Sequence, residues 1–149
     1  MEKILAIETS GKFLSAACLE KNQTQSILRA EVFYNIGLKH SEKLKEICQN
    51  LMHTCGWNLT DLTHLAVSTG PGSFTGLRVG ITFARTLAQI LQKPLIGIPI
   101  FEILAEGLDT TKDPQCIIVD SIGQDLFMAW VQPKTTRSYL QKNPNYKII

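Results

Sequence analysis

Apolar positions at the start of the chain come in short blocks, then shift to a helical period. Residues 3–7 and 13–19 are apolar, strand-length runs joined by Glu8-Thr9-Ser10-Gly11-Lys12, the composition of a tight hairpin. Residues 25–34 extend the series after a polar turn at 20–24, so three antiparallel strands are predicted to open the chain. From 41 to 55 the apolar positions are Leu44, Ile47, Cys48, Leu51, Met52 and Cys55, one stripe of an amphipathic helix. Ser41 is its expected N-cap, and Gly56 the residue past its end.

Residues 62–68 then read as a buried strand, 69–74 as a Gly/Pro loop, and 75–92 as a long helix stopping before Lys93-Pro94. A short strand at 95–98, a brief helix at 101–107 and a polar linker at 108–114 follow. Parallel strand pairs need crossover helices, so this order predicts an α/β fold with a mixed five-stranded sheet and flanking helices. Past the linker, residues 117–120 and 126–131 repeat the opening hairpin. Ile4 to Gly11 and Cys116 to Gly123 share an apolar strand, an acid, a hydroxyl and a glycine two residues on. Duplication makes 1–107 a first unit and 108–149 an incomplete second lobe of hairpin and tail. About 40 residues cannot build an independent core, so the second lobe must pack on the first or on another chain.

Composition narrows the classes. The 149 residues are 44% hydrophobic and 19% charged, enough for one packed core. No run approaches the ~20 apolar residues of a membrane span, and the first residues lack a basic export region, so a cytoplasmic chain with no membrane contact is expected. The formal charge of +2 is scattered, which argues against tight independent nucleic-acid binding. Cys18, Cys48, Cys55 and Cys116 form no C-x-x-C pair, and His40, His53 and His64 fit no zinc spacing, so no metal site is expected and the cysteines read as packed, reduced thiols. The Asn58-Leu59-Thr60 sequon is then idle.

Three features are candidates for chemistry. The loop Thr69-Gly70-Pro71-Gly72-Ser73-Phe74-Thr75-Gly76 joins a strand to a helix, where backbone N–H groups can cradle an anion. It matches neither a P-loop nor G-x-G-x-x-G, and a structural turn capped by Ser73 or Thr75 is the simpler account. Gly76, Gly80, Ala84 and Ala88 form a small-residue ridge on the long helix, while Leu77, Ile81, Leu87, Ile90 and Leu91 suffice to cover the sheet. The ridge serves either an outside partner or the helix at 41–55. Glu8 and Asp120, at corresponding strand ends, are a candidate pair for Mg²⁺ and phosphate, although no glycine lies directly beside either acid. His40-Ser41 has no nucleophile-base signature.

The strings Ile4-Leu5-Ala6-Ile7-Glu8-Thr9-Ser10, His40-Ser41 with Leu44, Gly70-Pro71-Gly72-Ser73-Phe74-Thr75-Gly76-Leu77-Arg78-Val79-Gly80 and Pro94-Leu95-Ile96-Gly97-Ile98 resemble the TsaB (YeaZ) family of the actin-like ATPase superfamily. The resemblance spans 3–131 and is densest at 65–100. It implies a duplicated actin-like (RNase H-like) fold and a part in installing N6-threonylcarbamoyl on adenosine 37 of tRNA. It further implies a non-catalytic scaffold that docks a TsaD-like catalytic subunit through two helices, here 41–55 and 75–92, with a TsaE-like ATPase assisting. A homodimer is expected on the same surface when the partner is absent, and tRNA contact only through the complex. Leu44, Ile47, Leu51, Gly76, Gly80, Ala84 and Ala88 are the expected partner interface. No cofactor is expected on this subunit, ATP and a metal ion belonging to its partners; Glu8, Thr9, Ser10, Gly72, Ser73 and Thr75 are the weak candidates for one. Family members continue well beyond the second hairpin and read Asp-Ala-Arg where this chain has Asp120-Ser121-Ile122, so the second lobe is expected to be truncated. The alternative from the residues alone is a small ATP-dependent phosphotransferase using Glu8, Asp120 and the 69–76 loop. A peptidase has no assembled ligand set or nucleophile to support it.

Overall fold

A computed structural model describes residues 1–35, 40–108, 115–120 and 126–131. The elements are β1 (Glu2–Glu8), β2 (Phe13–Lys21), β3 (Ser26–Asn35), α1 (His40–Thr54), β4 (His64–Ser68), α2 (Phe74–Leu91), β5 (Leu95–Ile98), α3 (Ile100–Glu106), β6 (Gln115–Asp120) and β7 (Leu126–Val131). The first five strands form one mixed sheet in the order β3-β2-β1-β4-β5, the five-stranded architecture expected from the element order. β1 to β3 are antiparallel neighbours, whereas β4 lies parallel to β1 and β5 parallel to β4, with α1 and α2 as the crossovers.

Pleating explains why both helices settle on one face. Leu5 and Ile7 of β1 pair with Cys18 and Ala16 of β2 and with Leu65 and Val67 of β4, so these apolar side chains share a side of the sheet. Leu44, Ile47, Cys48, Leu51 and Met52 of α1 and Ala84 of α2 close over them, with Trp57 and Leu62 completing the core. The other side carries Ile4, Ala6, Ala17 and Leu19, and the rings of Phe13 and Phe33 stack there at 4.6 Å with Phe33 67% exposed. A separate hairpin, β6 with β7, packs Ile117, Ala129 and Val131 against Ile100 and Phe101 of α3.

Several boundaries shift from those expected. Helix α1 begins at His40, so Ser41 lies inside the first turn rather than capping it. At its other end Gly56 takes φ +68°, and Trp57 N donates to Met52 O at 2.9 Å, closing the helix as expected. Ser73, not Thr75, caps α2. The buried strand starts two residues later than expected, at His64, because residues 59–61 wind into a 3₁₀ turn. The linker from 109 to 114, the turn from 121 to 125 and the tail beyond 131 lie outside the described residues.

Candidate functional site

The two motif strings that stand out in the sequence fold onto each other. After β1, residues 8–11 turn back across the start of α2, and Ser10 O accepts from Ser73 N at 2.6 Å. Thr9 Oγ1 donates to Gly76 O at 2.8 Å, Glu8 Oε1 accepts from Ser10 N at 2.5 Å, and Ser73 Oγ accepts from Gly76 N at 3.3 Å. Thr9, Ser10 and Ser73 are buried. A Cβ at Gly72 would sit 2.5 Å from Ser10 O, one at Gly76 would run into Thr9 O, and one at Gly80 into Thr9 Oγ1. These glycines serve close approach: the hairpin loop occupies the space their missing side chains leave.

That packing decides how the candidate cofactor residues fit a phosphate. The N–H of Ser73 and the hydroxyls of Thr9 and Ser73 are engaged within the chain, and the cradle at Gly72 and Gly76 is filled by backbone. Glu8, Thr9, Ser10, Gly72 and Ser73 therefore form a structural latch between the end of β1 and the start of α2. Thr75 is exposed and turns elsewhere, toward α1. Asp120 is exposed at the end of β6, in the other sheet. Among the described residues no three His, Cys, Asp or Glu side chains gather as a metal-ligand group.

The residues expected to meet a partner require a correction. Leu44, Ile47 and Leu51 of α1, and Gly76, Gly80, Ala84 and Ala88 of α2, are all buried within the chain itself. Neither of the two fates expected for the ridge holds for its first half. Gly76 and Gly80 pack against Thr9 at the end of β1, rather than against α1 or an outside surface. Leu77, Ile81, Leu87 and Leu91 flank the ridge half-buried, and Ile90 is 73% exposed.

What α1 and α2 offer outward is a different set. Phe74 (74% exposed), Thr75, Arg78, Thr82, Arg85, Thr86, Gln89 and Ile90 face solvent along α2. Arg78 lies over the Phe74 ring, 5.5 Å from its centroid. Between the two helices runs an open groove of about 460 Å³ with Leu44, Val79 and Phe83 among its walls and Ser41, Lys45, Thr75, Arg78 and Thr82 supplying polar groups. Periodicity missed these residues because it ranks positions by apolarity. The available signal was charge: no Asp or Glu occurs between Asp61 and Glu102.

The cysteines are unpaired, and three of them pack together in the core. Burial first, and then the neighbouring Cys55 and Cys48, push the Cys18 thiol up to about 12; burial pushes Cys48 up to about 12 as well. Both stay protonated at neutral pH and act as small apolar groups.

A family model described as "TsaD: tRNA N6-adenosine threonylcarbamoyltransferase" matches residues 35–138. The chain is 33% identical to the tRNA threonylcarbamoyladenosine biosynthesis protein TsaB of Escherichia coli, over 70% of this chain and 43% of that protein. It is 28% identical to the tRNA N6-adenosine threonylcarbamoyltransferase of Rickettsia prowazekii, over 87% of this chain and 37% of that one. Among solved structures, YeaZ from Pseudomonas aeruginosa superposes with a TM-score of 0.76 at 21% identity, covering all of this chain and 65% of its own. The chain thus spans less than half the length of the curated relatives it matches. Sequence and fold converge: the chain belongs to the family that the TsaD model describes, and it is similar to TsaB in sequence and to YeaZ in fold.

Proposed function

We propose that this chain is a non-catalytic scaffold subunit in the formation of N6-threonylcarbamoyladenosine at position 37 of tRNA. In this reading it holds a TsaD-like catalytic subunit against the outer faces of α1 and α2, and the same surface pairs two copies when that partner is absent. Chemistry, ATP and metal reside with the partners, a TsaE-like ATPase among them, and tRNA is met only through the assembly. The observation that carries the reading is the latch: Thr9, Ser10 and Ser73 spend their hydrogen bonds on holding β1 to α2, while the helices' outer faces stay open. The names of its relatives support the reaction, and the exposed faces of the two helices support the surface.

Reconstitution tests it. A mixture of the other subunits, tRNA, threonine, bicarbonate and ATP, lacking only its TsaB, should regain threonylcarbamoyladenosine on adding this chain, read by nucleoside analysis of digested tRNA. No product, with the matched TsaB active in the same mixture, would overturn the reading. The rival small phosphotransferase requires saturable Mg-ATP binding by the isolated chain, which titration calorimetry reads directly; the filled cradle at Gly72 and Gly76 speaks against it.

A further inference from the structure

The outer surface of α2 has a chemistry of its own. No acid lies in the helix, so its exposed ionised side chains, Arg78 and Arg85, are both cations. Neither forms an ion pair with a carboxylate among the described residues, where the ion pairs are Lys3–Asp61, Arg29–Glu20 and Lys43–Glu46. Lys45 joins Arg78 in the groove beside three hydroxyls, those of Ser41, Thr75 and Thr82, and among the described residues no carboxylate lines it. Phe74, on the same side of α2 as the two arginines, is an exposed apolar anchor at the start of the stripe, and Ile90 is exposed near the other end of the helix. An apolar-anchored helix face with a line of uncompensated cations is the complement of a helix carrying carboxylates between apolar side chains.

We infer that the α1–α2 groove and the α2 stripe select an acid-bearing helical face on the catalytic subunit, with Arg78, Arg85 and Lys45 as the determinants of partner choice. This rests on the scaffold reading and names the chemistry of the partner within it. A second copy of the chain is the poorer occupant. A two-fold contact centred on α2 sets Arg78 and Arg85 of one copy against the same residues of the other, and juxtaposed like charges are repulsive. A small anion is also a poor match, because the stripe runs the length of α2 past the groove. An acidic partner meets all three cations with opposite charge, so the preference between partners is electrostatic and weakens with salt.

The test uses the full chain and the TsaD-like subunit of the same genome, with binding followed by titration calorimetry from 50 to 500 mM NaCl. Wild-type affinity should fall as salt rises. The double variant Arg78→Glu/Arg85→Glu should bind on the order of 10-fold or more weaker, and Arg78→Gln/Arg85→Gln should lose less and show a flatter salt dependence. Circular dichroism should show both variants folded, because both arginines are exposed. Self-association, read by sedimentation, should be strengthened or unchanged in the glutamine variant. Wild-type binding that ignores salt and survives charge reversal overturns the inference and leaves the scaffold reading standing. Absence of any wild-type binding overturns both. Charge reversal that abolishes tRNA binding but spares the transferase subunit assigns the stripe to RNA and overturns the inference too.

Discussion

The two sides of α2 follow opposite rules. Inward, the helix presents Gly76, Gly80, Ala84 and Ala88, each buried, and the loop after β1 presses on the first two so closely that a single added carbon meets Thr9. Outward it presents Phe74, Arg78, Arg85 and Ile90, all exposed. Small residues here set the distance between a helix and its own sheet, whereas large and charged ones are left for solvent or a partner. A small-residue ridge is thus evidence of close approach, and says nothing about which neighbour approaches.

The widest separation between the two sides is expected at Gly76. Gly76→Leu drives a side chain into the backbone oxygen of Thr9, which has no rotamer to escape through, and should cost about 3 kcal/mol or more in urea unfolding. The same change at Thr86, on the outer side, should leave the midpoint almost unmoved. Leu44→Ala should cost roughly 2–5 kcal/mol, because Leu44 is 1% exposed and packs into the core beneath the floor of the groove. A loss below about 1 kcal/mol would mean that Leu44 faces outward after all. Thr9→Val keeps the shape of the latch but strips Gly76 O of its buried donor, for an expected cost of about 1–2 kcal/mol. Phe74→Ser and Ile90→Ser, on the exposed side, should stay within about 0.5 kcal/mol of wild type. Near neutral pH the smallest effect of all belongs to the buried thiols. Cys18 and Cys48 keep their protons in the folded state up to about 12, whereas the unfolded chain releases them from about 9.0. The unfolded state then binds fewer protons, so stability is constant below pH 9 and declines as pH climbs from 9.0 toward 12. Replacing both cysteines by alanine should remove that alkaline decline from chemical-denaturation curves taken across the window.

Much of the architecture was legible because it is local. Alternation at Leu5 and Ile7, the stripe from Leu44 to Met52 and the break at Lys93-Pro94 each follow from a period or a punctuation mark within one element. The orientation of α2 was not. Leu77, Ile81, Leu87, Ile90 and Leu91 look like the natural cover for a sheet, and by hydrophobicity they outrank a line of glycine and alanine. At Gly76 and Gly80 the fold keeps the place for the smallest residues because Thr9, 67 positions away from Gly76, arrives at the helix surface and leaves no room for side chains, while Ile81, Leu87 and Leu91 still pack half-buried against the core.

The candidate site divides in the same way. The strings around Thr9 and around Gly72 to Gly80 lie far apart in the sequence, and nothing in either shows that each fills the other. Sequence alone determined the elements, the family and the acid-free stretch from 62 to 101, since periodicity, motif spelling and charge count are properties of neighbours along the chain. Only the tertiary structure decided which face of α2 is core, that the glycine loop is a latch, and that Lys45 and Arg78 share one groove. Those facts depend on distances between residues far apart in sequence, which steric fit sets and no local pattern encodes.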